Sequence, residues 1–432
     1  PGHQNRLVFY VSSDGPQIQF NGLTAKQVIN LNGPEMRRLM DETDEANLRL
    51  KIIPSVVDYL NGVGTIPVRD VEINDLLGRE PVELDLRSIA ADVENQTVLV
   101  TGAGGSIGSE ICRQLIQFGP AKLVLVDNGE NNLFLIHGEL SRECDIPLTP
   151  YVTDVKHEDA MRNVFEQERP AYVIHAAAHK HVGLMESNVA QCVRTNVFGS
   201  KVVADLAHEF QARKFVLIST DKAVNPTSVM GASKQIAERY IHAMAQESAT
   251  AFVVVRFGNV LGSNGSVVPI FKEQIRRGGP VTVTDKRMTR FFMTIPEASQ
   301  LVLQAAAMGK GGEIFVLEMG DQVLIDDLAR DLIRLSGLPS NAIEIEYVGM
   351  RPGEKLYEEL YFDEEQALET SHPKLRAAYH RPYSVEEVLE VIEGLKPILT
   401  QNDTIVRGRL KEIVPEYTPP EGSLPTSADL PV

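Results

Sequence analysis

The 432 residues carry 42 Lys and Arg against 59 Asp and Glu, a formal net charge of -17, with 43% apolar and 23% charged residues. That composition is ordinary for a globular protein, and the length implies two or three lobes. The acidic balance argues against non-specific nucleic-acid binding, which needs phosphate-neutralising Lys and Arg, but leaves room for one anionic ligand in a local basic pocket. Cys112, Cys144 and Cys192 lack metal spacing and read as small buried residues of a reducing compartment, with no metal site. Without an 18-residue apolar run or a basic-then-apolar leader, the chain reads as soluble and cytoplasmic. It starts at Pro1 rather than Met, as a fragment would, which leaves open a membrane span in a longer parent.

In chain order, 7–11 reads as a strand, 34–45 as a Met- and Leu-spaced helix, 48–53 as a strand and 56–60 as a helical turn. This is too little to close a sheet, so residues 1–90 are expected to form a partial α/β lobe of structural role, with 75–85 as linker. From Thr97 to Phe257 strands and helices alternate. Strands are expected over 98–101, 123–126, 151–153, 172–175, 215–218 and 252–255, and helices over 107–118, 158–168, 189–209 and 232–247. The fold class is therefore α/β, a doubly wound parallel sheet over 91–258. A smaller α/β lobe follows over 259–415, with helices near 268–277, 296–308 and 384–395, and a mobile tail over 416–432.

Thr101-Gly-Ala-Gly-Gly-Ser-Ile-Gly108 leaves the first of these strands and opens a helix. Gly102, Gly105 and Gly108, with Ser106 and Ile107, would let backbone amides approach a pyrophosphate at the positive helix terminus. Asp127 and Asn128 end the second strand, where an acid hydrogen-bonds the adenosine ribose and repels a 2′-phosphate. NAD is thus favoured over NADP, with Arg142 keeping NADP open. Asp154 and Val155 end the third strand near the adenine position, against the alternative of a plain turn. Ala176, Ala177 and Ala178 are small enough for a cofactor to lie against the sheet. Asn196 is placed with them, on the following helix. His179, Lys180 and His181 serve either solvation or substrate contact.

The most informative stretch is Lys214 to Lys234, a buried strand that presents Ser219, Thr220, Asp221 and Lys222 at its carboxyl end, then a helix bearing Lys234. It resembles the extended short-chain dehydrogenase/reductase family, in which a Ser or Thr ends the fifth strand and a Tyr-x-x-x-Lys pair lies on the next helix. Thr220 and Lys234 match; Met230 stands at the usual Tyr position and has no proton to exchange. Thr220-Asp-Lys222 looks like the nucleotide-sugar 4,6-dehydratases, and the Met variant like their large membrane-anchored branch acting on UDP-N-acetylglucosamine in polysaccharide and glycan synthesis. The match extends through Arg256-Phe-Gly-Asn259, Thr289-Arg-Phe-Phe-Met293 and Met350-Arg-Pro-Gly-Glu-Lys355, about residues 70 to 360.

The resemblance implies C4 oxidation, C5/C6 elimination of water and hydride return to C6, with retention at C5. Lys222 is assigned as the C5 base, its pKa lowered by burial and by Lys234, and Asp221 as the acid for the C6 hydroxyl. Thr220 would relay the C4 hydroxyl proton in place of the tyrosine. Ser219 and Lys234 fall to the cofactor. Lys180, His181, Asn259, Val267, Val268, Arg290, Arg351 and Glu354 fall to the UDP-sugar, the two arginines as forks for its pyrophosphate. The family further implies pairing of copies through the long helices flanking the fourth and fifth strands, and a parent anchored at the cytoplasmic face of the inner membrane. Two other readings stand beside this one: a nucleotide-sugar 4-epimerase, for which Asp221 and Lys222 are superfluous, and a non-catalytic NAD-binding scaffold, favoured only by Met230.

Overall fold

The computed structural model describes residues 7–11, 33–45, 49–53, 69–77, 82, 84–339, 341–362, 365–379 and 383–424. Strands β1 (Leu7–Val11), β2 (Arg49–Ile53) and β3 (Arg69–Asp70) form an antiparallel sheet, with helix Gly33–Glu45 beside it. The expected turn at 56–60 lies outside the described residues. Met36, Leu39 and Met40 share one apolar cluster with Phe271, Leu328 and Leu332, and Arg37 Nε lies 2.8 Å from Asp331 Oδ2. The N-terminal lobe is thereby packed onto the C-terminal one.

Except at the edge strand Leu148–Val152, the central strands are β-branched and apolar runs with both faces covered, as a parallel sheet between helix layers requires. They are β4 (Thr97–Thr101), β5 (Lys122–Asp127), β6 (Leu148–Val152), β7 (Tyr172–His175), β8 (Lys214–Thr220) and β9 (Ala251–Phe257). Then come β10 (Asn259–Val260), β11 (Val281–Val283), β12 (Thr289–Arg290), β13 (Phe292–Met293), β14 (Ile314–Leu317), β15 (Val323–Leu324), β16 (Ile345–Tyr347), β17 (Gln366–Glu369) and β18 (Leu375–Tyr379). The large sheet has the order β17-β18-β14-β9-β8-β7-β4-β5-β6, parallel except at β17 and β18. The strand order reverses at β4, between β5 and β7, which opens the crevice where such sheets bind ligands.

Several expectations shift. The third strand runs over Leu148–Val152, earlier than the expected 151–153, and a helix over Glu130–Glu143 follows β5 without having been read from the sequence. The helix expected over 189–209 is interrupted by a π-helical stretch, Arg194–Gly199. The lobe expected over 259–415 is interleaved with the sheet, since it supplies β14, β17 and β18. The tail expected from 416 begins packed: Tyr417 is wholly buried, and the Thr418 amide donates to the Pro226 carbonyl at 2.8 Å. Residues 425–432 lie outside the described part.

Helices Val385–Leu395 and Asp403–Ile413 set Val388, Ile392, Val406 and Leu410 into the same apolar cluster as Ile236, Tyr240 and Ile241 of helix Val229–Glu247. One of the long helices expected to pair copies of the chain therefore also carries a layer of this chain's own helices. Among the described residues no helix is long and apolar enough to cross a membrane.

Arg256 of β9 is wholly buried and pairs with Glu238 of helix Val229–Glu247 at 2.8 Å and with Glu365 at 2.9 Å. Replacing it by Met strands two buried carboxylates. Arg256→Met should lower unfolding free energy by about 3–5 kcal/mol; a urea-melt loss below about 1 kcal/mol would show that the triad does not hold helix and sheet together.

Candidate active site

The glycine loop joins β4 to helix Ser106–Leu115. Gly102 has φ +68°, and a Cβ there would stand 2.7 Å from the Ala177 amide nitrogen. A Cβ on Gly108 would stand 2.0 Å from the Gly102 carbonyl oxygen, so the loop closes only with glycine at both places. The amides of Ser106, Ile107 and Gly108 form the helix's first turn and have no intrahelical acceptor. Asp127 at the end of β5 accepts from the Gly104 and Gly129 amides at 2.9 and 2.7 Å. Asn128 donates to Asp154 at 3.3 Å, and Asp154 also pairs with Lys156 at 2.8 Å. Burial disfavours the Asp154 carboxylate, but the hydrogen bonds from Lys156 and Asn128 outweigh it and keep its pKa low.

Two expected cofactor residues are internal instead. Val155 is buried beneath Gly199. Asn196 is wholly buried: its oxygen accepts from the His179 amide at 2.8 Å, and its nitrogen donates to the His179 carbonyl and to Ser233 Oγ, each at 3.0 Å. Asn196 thus fixes the backbone that follows Ala176–Ala178 rather than facing the crevice. His175 is buried between Thr101 and Ser200, at 2.7 and 2.9 Å, and burial followed by the charge of Lys234 pushes its imidazole down to about 3. Lys234 donates to the Ile218 carbonyl at 2.8 Å, and burial brings its ammonium down to about 8. Ser219 Oγ is buried without a partner beside it in sequence on β8. A dinucleotide fits this set: a glycine cradle that any Cβ would fill, first-turn amides, an acid at the end of β5, an orphaned hydroxyl and an ammonium.

Beside it opens a cleft of ≈ 960 Å³. Of the eight residues expected on the substrate side, Lys180, His181, Asn259, Val267, Arg290, Arg351 and Glu354 line it, and Val268 is buried behind them. Arg290 is not a free fork. Its guanidinium donates to the carbonyls of Thr289, Lys355 and Leu356 and lies 3.5 Å from Glu358. Arg351 is exposed on the cleft wall, and its amide donates to Glu354 at 3.3 Å. Lys355 pairs with Glu359 at 2.9 Å rather than with Glu354, and donates to the Val224 carbonyl.

Thr220, Asp221 and Lys222 meet at the end of β8. Thr220 Oγ1 donates to Asp221 Oδ1 at 2.9 Å; Lys222 Nζ donates to the same oxygen at 3.0 Å and to Asn259 Oδ1 at 3.1 Å. Asp221 is wholly buried, with Oδ2 unpartnered, and lies behind Lys222. Lys222 lines the cleft with its side chain 19% exposed.

Glu358 was missed by sequence reasoning. It is buried, lines the same cleft, and lies 3.5 Å from Lys222 with Oε2 unpartnered. Burial, then the nearby charge of Asp221, pushes its carboxyl up against the opposing cations Lys222, Arg290 and Lys355. This overturns the expectation of a lowered Lys222. Burial does disfavour its ammonium, but Asp221 and Glu358 outweigh burial and hold it above the ordinary lysine range. Met230 is buried in the apolar core and is not brought to the cleft. Glu186, also unread, lines the cleft, accepts from the Val229 amide at 2.7 Å and pairs with Arg407 at 3.4 Å. Among the described residues no group of His, Cys, Asp and Glu is placed to hold a metal.

Sheet order, glycine cradle and a hydroxyl-carboxyl-amine cluster at the end of β8 define a Rossmann-type short-chain dehydrogenase/reductase architecture. A family model for polysaccharide biosynthesis proteins matches residues 98–380, and the chain belongs to that family. It is 52% identical over 347 residues to the capsular polysaccharide biosynthesis protein CapD of Staphylococcus aureus, covering 79% of this chain but 58% of that protein. It thus spans little more than half the length of such relatives. It is 35% identical to a UDP-N-acetylglucosamine 4,6-dehydratase (inverting) of Campylobacter jejuni, over 61% of this chain and 76% of the relative. It is 33% identical to a UDP-glucose 4-epimerase of Rickettsia akari, over 63% and 80%. Among solved structures, that of Pen from Bacillus thuringiensis aligns with a TM-score of 0.63 at 34% identity, over 72% of this chain and 99% of that one.

The folded protein binds the Lys234 proton less tightly than the unfolded chain, so this group costs stability below about pH 8 and the cost is relieved as pH rises toward about 10.5. Lys234→Met should remove a rise of about 3 kcal/mol in wild-type stability across that window. Matching denaturation curves against pH for the two proteins would contradict the shift.

Proposed function

We propose that the protein is a nucleotide-sugar 4,6-dehydratase that converts UDP-N-acetylglucosamine to UDP-2-acetamido-4-keto-2,6-dideoxyhexose. One observation carries this reading: Asp221 and Lys222 meet at a shared hydrogen bond beside a cleft large enough for a nucleotide sugar. Oxidation at C4 alone needs one proton acceptor. The cluster provides more, as elimination across C5 and C6 requires.

Gly102, Gly105, Ser106, Ile107 and Gly108 would hold the pyrophosphate of NAD, Asp127 its adenosine ribose, and Ser219 and Lys234 the nicotinamide end. NAD is preferred over NADP because the Asp127 carboxylate opposes a 2′-phosphate. When bound, NAD supplies the hydride acceptor for C4 and the donor for C6. Thr220 passes the C4 hydroxyl proton to Asp221 along their 2.9 Å hydrogen bond. Lys222, as the free amine, removes the C5 proton, and Asp221 sends its proton back through Thr220 to the departing C6 hydroxyl. Lys222, its ammonium hydrogens exchanged with solvent, then delivers a proton to C5. One amine working from one side implies retention at C5. Arg351, exposed on the wall, is the freer cation for the substrate pyrophosphate, and Arg290 shapes the cleft through the carbonyls it binds.

Incubation with UDP-N-acetylglucosamine should give the 4-keto-6-deoxy product without added reductant and with one solvent deuterium at C5. The 4-epimer as product would establish the epimerase reading that the Rickettsia relative keeps alive; no turnover would favour a scaffold. Proton NMR of the product reads the C5 configuration. Lys222→Ala should lower turnover by at least about 1000-fold and leave NAD bound.

A further inference from the structure

Resting on that reading, we propose that Glu358 is the proton store of the site: it takes the surplus proton of Lys222 when the cleft is filled, and so lets the amine act as a base. As the cluster stands, Asp221 Oδ1 accepts from both Thr220 and Lys222, and with Glu358 also beside it Lys222 is held as the ammonium. Dehydration has to begin with Asp221 as carboxylate, because it receives the proton of the C4 hydroxyl. That proton leaves with the C6 hydroxyl as water. Lys222 has to begin as the free amine, because it takes the C5 proton and gives one back. After one turnover both groups have returned to where they began. The third proton of the ammonium therefore never enters the reaction, and neither Asp221 nor the sugar can hold it.

The groups facing Lys222 Nζ are Asp221, Asn259 from β10, Glu358, and Arg290 from β12. An amide oxygen is too weak a base to keep a proton and a guanidinium has no acceptor. Glu358 remains. Its Oε1 lies 3.5 Å from Lys222 Nζ and 3.5 Å from Arg290 Nε, while Oε2 is buried without a partner, so a proton there displaces no hydrogen bond. Moving the proton from amine to carboxylate replaces two buried charges by two neutral groups. That exchange becomes more favourable as a ligand excludes water from the cleft. Burial already pushes the Glu358 carboxyl up, with Asp221 adding to it and Lys222, Arg290 and Lys355 opposing. Glu358 acts through Lys222 and is a positioning residue for its charge, not a group that handles the sugar.

Two measurements on the whole protein test this. Glu358→Gln keeps the shape but cannot take a proton, and Asp221 still holds the ammonium. Its kcat at pH 7 should fall by about 100-fold with KM little changed. It should then climb by about tenfold per pH unit as solvent strips Lys222, while wild type stays flat. Glu358→Asp, which retains a titratable carboxyl, should keep the flat profile at lower kcat. Independently of turnover, an infrared difference spectrum of the protein with NAD and UDP against the protein alone should show a protonated-carboxyl band that Glu358→Gln lacks. A Glu358→Gln variant with wild-type kcat, or with an equal loss at every pH, overturns the assignment, as does an active wild type without the band. If the band behaves as expected but wild type forms no 4-keto product, the dehydratase reading fails and the proton store stands.

Discussion

A lysine whose charge is carried into the wall of a cleft is tolerable only with compensating carboxylates, and around Lys222 there are two. That single constraint accounts for much of what surrounds it. Asp221 must be carried on the same strand end, so β8 runs through Thr220 before the chain turns. Glu358 comes from a distant segment, and that segment has to be tied down. Thr227 donates to the Gly353 carbonyl, Lys355 to the Val224 carbonyl, and Arg290 to the carbonyls of Lys355 and Leu356. The Arg256 triad secures the far end through Glu365 and the helix side through Glu238. The segment bearing Glu358 and the sheet are thus tied together through part-buried polar contacts.

The sheet was legible because its strands are short apolar runs whose burial on both faces leaves little choice of structure. The helix Glu130–Glu143 was not, since Phe134 and Leu135 sit side by side on its exposed surface and blur the helical period. The edge strands β17 and β18 are short and mixed in polarity, so they carried no signal of belonging to the sheet. At the site, residues that follow from backbone position, such as Gly102, Gly108 and the Thr220–Lys222 run, could be read directly. Residues whose role depends on where a long side chain turns could not. Arg290 looked like a ligand fork and is committed to three carbonyls. Glu358 and Glu359 are neighbours of the same type; one is buried against Lys222 and the other pairs with Lys355. Only tertiary structure separates them.

Met230 illustrates the same division. Its spacing to Lys234 puts it where a tyrosine would donate a proton, and its own chemistry rules that out. The structure gives it a different occupation, apolar packing under the start of helix Val229–Glu247. The helix start is meanwhile capped by Ser228 and by the buried carboxylate of Glu186. The position supports the helix start and does not reach the cleft.

The contacts made by the last described turns bear on when the site can form. Arg407 holds Glu186, Glu416 pairs with Arg239, and the Thr418 amide grips the turn at Pro226, within ten residues of Thr220, Asp221 and Lys222. These contacts join residues about 180 to 220 apart in sequence. During synthesis strands β4 to β9 can pair early, but the turn that follows Lys222 lacks its clamp until residue 418 has cleared the ribosome. A nascent chain would hold a folded nucleotide-binding core for some time before it held a finished reaction centre.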